Sequence, residues 1–211
     1  MDNIEFIIEV IKKHQTEKRF LHTMGVAEEA YRLGTIFLPE KADKLKLAGL
    51  LHDITKDFSL EKQLSLCEEY GINIDKENLV PKLLHSKTGG EYARRIFGVE
   101  IVDDEMYKAI LYHTTGREKM TLFEALVYLA DYIESGRTFE DCVVLRKYFY
   151  DLLSSSPNAE SKENALIDTM ILSFNLTIEN LLSEGKSIDF DTIKSRNYYL
   201  KLKQNLQRKY K

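Results

Sequence analysis

Leu47-Ala48-Gly49-Leu50-Leu51-His52-Asp53-Ile54-Thr55-Lys56-Asp57 is the stretch on which the rest of the chain turns. Its first residues present no polar face, and a helix that is apolar all round is buried. A histidine and an aspartate then stand side by side, with a lysine one turn later. Burying an ionised carboxylate costs more than packing returns unless it is paired or bound to a metal. Two readings compete. In the ordinary one, His52 and Asp53 mark the solvated end of a helix, since Thr55, Lys56 and Asp57 follow at once. In the chemical one, a metal-ligand pair stands where a structural helix would place leucine.

Working outward, almost every segment carries its apolar residues at helical spacing, and no stretch alternates convincingly with a period of two. Three prolines and ten glycines in 211 residues leave room for long helices. Asn3 is expected to cap a first helix through Ile4, Ile7, Ile8 and Ile11 to about His14. Thr16 opens a second, with Phe20, Met24, Ala27, Ala30 and Leu33 as its stripe, and Pro39 ends that region. The opening stretch belongs to a third. Ser59 caps a fourth, without a full capping box because Lys62 stands at the glutamate position, and Gly71 ends it. A looser connection covers Ile72 to Pro81. Helices are then expected over Ser86–Phe97, Asp103–His113, Thr121–Ser135 and Asp141–Leu153. Ser154-Ser155-Ser156-Pro157-Asn158 is the clearest loop. A long amphipathic helix follows over Ala159–Ser183, and a basic one from Phe190 to about Gln207, where Tyr198, Leu202 and Leu206 fit a packed stripe. The expected fold is all-α, a compact helical array in a single domain, with its core at about 16–140 and C-terminal helices at 141–211.

Hydrophobic residues make up 44% of the chain, enough for a real core. A net charge of -4 and a pI near 5.8 argue against a nucleic-acid binder that works by bulk positive charge. A phosphate-bearing substrate must then meet a local cluster of cations or metal ions. Cys67 and Cys142 have no metal spacing and form no disulfide framework, which points to a reducing, cytoplasmic setting. The amino terminus lacks a signal-peptide pattern, and no apolar run is read as reaching the roughly 18 residues of a membrane span.

Five histidines remain: His14, His22, His52, His85 and His113. His14 follows Lys12 and Lys13 at a helix end, where a cation complements the dipole, and is expected to be solvated. His22 shares a helix face with Arg19. Asp131 is a single carboxylate inside Ala125-Leu126-Val127-Tyr128-Leu129-Ala130-Asp131-Tyr132-Ile133, where burial demands a partner. One metal bound by His22, His52, Asp53 and Asp131 would satisfy all four. His85 begins one helix and His113 ends another. Together the six offer enough ligands for two ions bridged by one carboxylate, and a mixed His/Asp set suits Fe, Mn, Zn or Ni. Taken singly, each histidine is more often an ordinary surface or half-buried residue than a ligand.

The order His22, His52-Asp53, Asp131 on helices resembles the HD superfamily of metal-dependent phosphohydrolases. Arg19-Phe20-Leu21-His22-Thr23-Met24-Gly25-Val26 is similar to its opening motif, and Leu51-His52-Asp53-Ile54-Thr55-Lys56 to its central one. His85-Ser86, Tyr112-His113-Thr114-Thr115-Gly116 and Ala130-Asp131-Tyr132-Ile133-Glu134-Ser135-Gly136-Arg137 resemble one branch, the YqeK-type symmetrical bis(5'-nucleosyl)-tetraphosphatases. The likeness covers Arg19 to about Arg137 and runs weakly on to Ser195-Arg196-Asn197. Ser135 departs from it, standing where most relatives are expected to carry proline.

The resemblance implies an HD-domain helical array and two divalent ions per chain, iron foremost, with manganese, nickel or zinc as alternatives. The implied ligands are His22, His52, Asp53, His85, His113 and Asp131, with Asp53 as the bridge. It implies symmetrical cleavage of diadenosine tetraphosphate into two ADP by a bridging hydroxide formed from a water whose pKa falls from about 15.7 towards ~7. Charge developing on phosphate oxygens calls for preorganised cations. Arg19, Lys56 and Arg137 are the candidates, with Thr114, Thr115 and Gly116 as further donors and Asp57 as a supporting group or general acid. The expected partner is a nucleotide, with neither nucleic acid nor membrane, and a homodimer is left open. The competing readings are an HD phosphohydrolase acting on a nucleoside monophosphate, a dNTP or a cyclic dinucleotide, and an inactive nucleotide-binding regulator. No ligand or phosphate cation is missing for activity.

Overall fold

The computed structural model describes residues 3–74 and 80–209. Among them there are helices and turns and no strand. They form two compact units, residues 3–74, 80–114 and 121–136 in one and residues 115–120 and 137–209 in the other. The short segment 115–120, expected within the core, groups with the C-terminal helices.

The first unit holds α1 (Asn3–His14), α2 (Glu17–Phe37), α3 (Ala42–Leu51), α4 (Leu60–Glu69), α5 (Leu84–Phe97), α6 (Asp104–Tyr112) and α7 (Leu122–Ile133). Single 3-10 turns at Pro39–Lys41 and Pro81–Leu83 lead into α3 and α5. The helix starts follow from local chemistry. Thr16, Ser59, Asp103 and Thr121 each cap a helix, accepting from the amides of Arg19, Lys62, Met106 and Glu124. Gly71 and Gly98, with φ of 64° and 83°, stand just past α4 and α5. The boundaries that bear on the site differ from expectation: α5 starts two residues early, at Leu84, so that His85 lies within its first turn, and α7 ends two residues early, at Ile133.

α2 packs along α3 and α7, and α5 and α6 close the other side. The centre is Val26, Ala27, Ala30, Leu33, Leu45, Ala48, Leu51 and Leu126, all fully buried. Helices α2 and α3 approach closely because a Cβ on Gly49 would lie 2.7 Å from the Cα of Ala27. α3 stops at Leu51, and His52 and Asp53 follow in a run of turns. The ordinary reading of that pair was right about the helix end and wrong about solvent: His52 is fully buried and Asp53 is 3% exposed.

His14 also differs from expectation. It is half-buried, donates from Nδ1 to the Val10 carbonyl at 2.6 Å, and meets the Tyr92 hydroxyl at 2.9 Å beside Phe58. The apolar wall around it, rather than the helix dipole, decides its place. Cys67 and Cys142 are buried and form no disulfide, and burial pushes the Cys67 thiol up.

At the start of α6, Lys44 Nζ reaches Asp103 Oδ2 at 2.6 Å and Glu105 Oε2 at 2.7 Å, and Lys41 reaches Glu105 Oε1 at 2.7 Å. Partial burial works against the ionised carboxylates, but the lysines overcome it and hold Asp103 and Glu105 below their usual range. A lowered carboxyl pKa stabilises the fold above the unfolded value near ~4, and that contribution is lost as pH falls through the folded value. Asp103 is half exposed, so solvent screening caps the effect. Lys44→Met is expected to lower stability by up to about 1 kcal/mol at neutral pH, a difference that closes in acid. Urea melts at the two pH values check it.

The second unit holds α8 (Glu140–Ser154), α9 (Ala159–Ser183) and α10 (Phe190–Lys209). Asn158 and Ser161 form a full capping box at the start of α9. α9 packs on α8 and α10 around Leu145, Phe149, Met170 and Phe174. Its 18-residue window has a mean hydropathy of 1.3, long and apolar enough to cross a membrane by composition, and 44% of that window is buried in protein. Asp168 and Glu179 interrupt this stretch, so it is not an unbroken apolar run. On α10 the buried anchors are Thr192, Ser195 and Tyr199, while Tyr198, Leu202 and Leu206 are half-buried.

Candidate metal centre

Five elements of the first unit deliver six side chains to one point. His22 comes from α2, His52 and Asp53 from the turn after α3, His85 from the first turn of α5, His113 from the end of α6, and Asp131 from α7. The two oxygens of Asp53 face two different imidazole pairs. Oδ2 lies 3.4 Å from His52 Nε2 and 3.8 Å from His22 Nε2. Oδ1 lies 3.1 Å from His85 Nε2 and 3.4 Å from His113 Nε2. Asp131 Oδ1 joins the first pair, 3.0 Å from His22 Nε2 and 3.6 Å from His52 Nε2.

The tautomers follow from the far side of each ring. The Nδ1 atoms of His52, His85 and His113 lie 2.6, 2.8 and 2.6 Å from the carbonyls of Gly49, Lys82 and Ile110. A carbonyl only accepts, so Nδ1 carries a proton and Nε2 is the nitrogen left to meet a metal. Yet the Nε2 atoms of His85 and His113 are 3.1 Å apart. Buried Nε2 atoms of His22 and His52 face carboxylates without forming a hydrogen bond of good geometry. Imidazole nitrogens and carboxylates converging in a buried site are what a cation satisfies. Three overlapping groups have ligand atoms close enough for a metal: His22-His52-Asp53, His52-His113-Asp131 and Asp53-His85-His113. The donor set therefore fits a divalent ion of the His/Asp type.

The protein groups alone make the centre strongly polar. Burial disfavours an ionised Asp53, but the imidazoles of His52, His113 and His85 beside it outweigh that and hold its carboxyl well below the usual range. Burial also opposes a charged His52, yet Asp53 and Asp131 lift that imidazole to about 10. His85 goes the other way: burial lowers it to about 4, against the pull of Asp53.

Arg19 donates from Nη1 to Asp53 Oδ2 at 2.8 Å. Lys56 Nζ lies 3.1 Å from His85 Nε2. Thr114 Oγ1 lies 3.1 Å from His113 Nε2 and 3.4 Å from His85 Nε2. These three stand at the centre. Asp57 faces elsewhere: its Oδ2 accepts from the amide and hydroxyl of Thr16 at 2.8 and 2.9 Å, and its Oδ1 is 3.7 Å from Arg19 Nε. Thr115, Gly116 and Arg137 belong to the second unit. There Gly116 has a φ of 65° against Ser195 and Phe174, and the Arg137 carbonyl accepts from Arg146. Their reading as phosphate contacts rests on the resemblance alone.

Five supporting side chains escaped the sequence reading. Gln15 donates to the Asp53 carbonyl at 3.0 Å. Thr55 reaches the His85 carbonyl and Thr88, and Gln63 ties both threonines, so the turn carrying Asp53 is braced against α5. Buried glutamine and threonine carry no sequence pattern, so nothing marked these. Glu134 is the fifth, and its spacing of three residues from Asp131 was the available signal.

Residues 19–136 match the HD domain family. A symmetrical bis(5'-nucleosyl)-tetraphosphatase of Staphylococcus aureus is 32% identical over 197 residues, covering 93% of this chain and 94% of that protein. One of Bacillus subtilis is 31% identical over 198 residues, covering 93% and 97%. A crystal structure of a predicted HD superfamily hydrolase involved in NAD metabolism, from Clostridium acetobutylicum, matches with a TM-score of 0.81 and 33% identity, over 94% of this chain and 97% of that one. HD domains bind divalent metal, and the imidazoles and carboxylates gathered here match that chemistry. The chain belongs to the HD-domain family, within the branch of the symmetrical bis(5'-nucleosyl)-tetraphosphatases.

Proposed function

We propose that this protein hydrolyses diadenosine tetraphosphate at its middle, using one water to give two ADP. The observation that carries the reading is Asp53, whose two oxygens face two separate imidazole pairs. That arrangement supports two ions, one held by His22, His52, Asp131 and Asp53, the other by His85, His113 and Asp53. Iron is the proposed metal, with manganese, nickel or zinc as alternatives. Divalent ions bound here supply Lewis acidity, drawing the pKa of a coordinated water from about 15.7 towards ~7.

The chain's own groups do the rest. Lys56 and Arg19 place positive charge beside the ligands, where the phosphate oxygens gain charge as the central anhydride breaks. Thr114 adds a hydroxyl donor. Asp57 holds Thr16 and Arg19 in place, a bracing role that its hydrogen bonds favour over proton transfer. Cys67 and Cys142, buried and without a disulfide, accord with a cytoplasmic location.

Anaerobically purified, metal-loaded protein is incubated with diadenosine tetraphosphate and the products are separated. Two ADP per substrate is the expected result; AMP plus ATP, or no turnover, overturns the reading. Lys56→Ala is expected to keep its metal and lose about 10²-fold in kcat. Should metal content fall in step with rate, Lys56 serves to hold His85 instead.

A further inference from the structure

Three of the four histidines at the centre have Nδ1 held in the same way, by the carbonyl three residues earlier in the chain. This works because His52 and His113 follow the last turns of α3 and α6, where carbonyls lack an intrahelical partner. His85 does the same with the 3-10 turn ahead of α5. His22 cannot. It sits inside the 21-residue helix α2, whose interior carbonyls accept from the helix's own amides. Its Nδ1 needs an acceptor from elsewhere.

We propose that Glu134 is that acceptor and positions His22 as an Nε2 donor. Glu134 Oε1 lies 3.0 Å from His22 Nδ1, and Glu134 is 2% exposed. Its other oxygen accepts from the Gly136 amide at 2.5 Å. A carboxylate facing Nδ1 takes the proton on that side and leaves the Nε2 lone pair facing Asp131. Two glycines make the arrangement fit. A Cβ on Gly25, one turn after His22, would lie 2.5 Å from Glu134 Oε2, and one on Gly136 would lie 2.9 Å from it. Gly25, Glu134 and Gly136 thus form a holder for a single ring. Charge accompanies the contact: His22 is the histidine at the centre whose acceptor is a carboxylate and not a carbonyl.

The inference rests on the metal-centre reading only for what Nε2 serves, so the test separates the two. Mn2+ is titrated into wild type, Glu134→Gln and Gly25→Ala, and the His22 tautomer is read from imidazole 15N resonances of metal-free protein at alkaline pH. Glutamine offers oxygen to only one of two donors, His22 Nδ1–H or Gly136 N–H. Alanine at 25 displaces the carboxylate without removing it. Both variants are expected to bind Mn2+ about 10- to 100-fold more weakly and to lose the single Nδ1–H tautomer at His22. Glu134→Gln with wild-type affinity and an unchanged His22 tautomer, even if its melting temperature falls, overturns the proposal. If Gly25→Ala fails to fold, Glu134→Gln still decides. If wild type binds no Mn2+, the metal-centre reading fails, and the tautomer measurement still judges Glu134.

Discussion

Asp53→Ala is expected to strip the chain of bound divalent metal and to lower turnover of diadenosine tetraphosphate by about 10³-fold or more. Asp53 is the residue both imidazole pairs share, so its loss does not spare either half of the centre. It also removes the carboxylate that Arg19 Nη1 holds at 2.8 Å, leaving a part-buried guanidinium without that partner. Elemental analysis and steady-state kinetics on the same preparation check this. Retention of two metals per chain would sink the bridging role, whatever the rate.

Gly49→Val is expected to have the largest effect on stability. The Cβ of any residue at 49 would meet the Ala27 Cα at 2.7 Å, its amide nitrogen at 3.0 Å and the Val26 carbonyl at 3.0 Å. These are backbone atoms of α2, which cannot swing aside as a flexible side chain can, so the two helices must separate along their whole seam. Overpacking of this kind costs about 3 kcal/mol, a fall in melting temperature of about 6–12 °C for a chain of this size. The damage reaches the centre too, because the Gly49 carbonyl holds His52 Nδ1 at 2.6 Å. Thermal melts and metal content check both; a change within about 1 kcal/mol would mean that the seam relaxes.

The helices were legible because their signals are local. Thr16, Ser59, Asp103 and Thr121 stand at helix starts, Gly71 and Gly98 at ends, and apolar residues recur at the helical period between them. The candidate ligands were legible for a related reason: ionisable residues inside Leu47–Asp53 and Ala125–Ile133 contradict their apolar surroundings. What the sequence could not show was pairing across distance. Nothing in the spacing of Gln15, Thr55, Gln63 and Thr88 tells that they brace the turn beside Asp53. Glu134 was quoted within a motif but given no task, since its partner lies 112 residues away. His14 was misplaced because its helix-end position is local, whereas the Phe58–Tyr92 wall that half-buries it is not.

The centre built on Asp53 is most directly tested by anomalous diffraction from crystals of anaerobically purified protein. Two metal peaks are predicted, both bound to Asp53, one also to His22, His52 and Asp131 and the other to His85 and His113. A single peak, or a pair that does not share Asp53, would contradict the account.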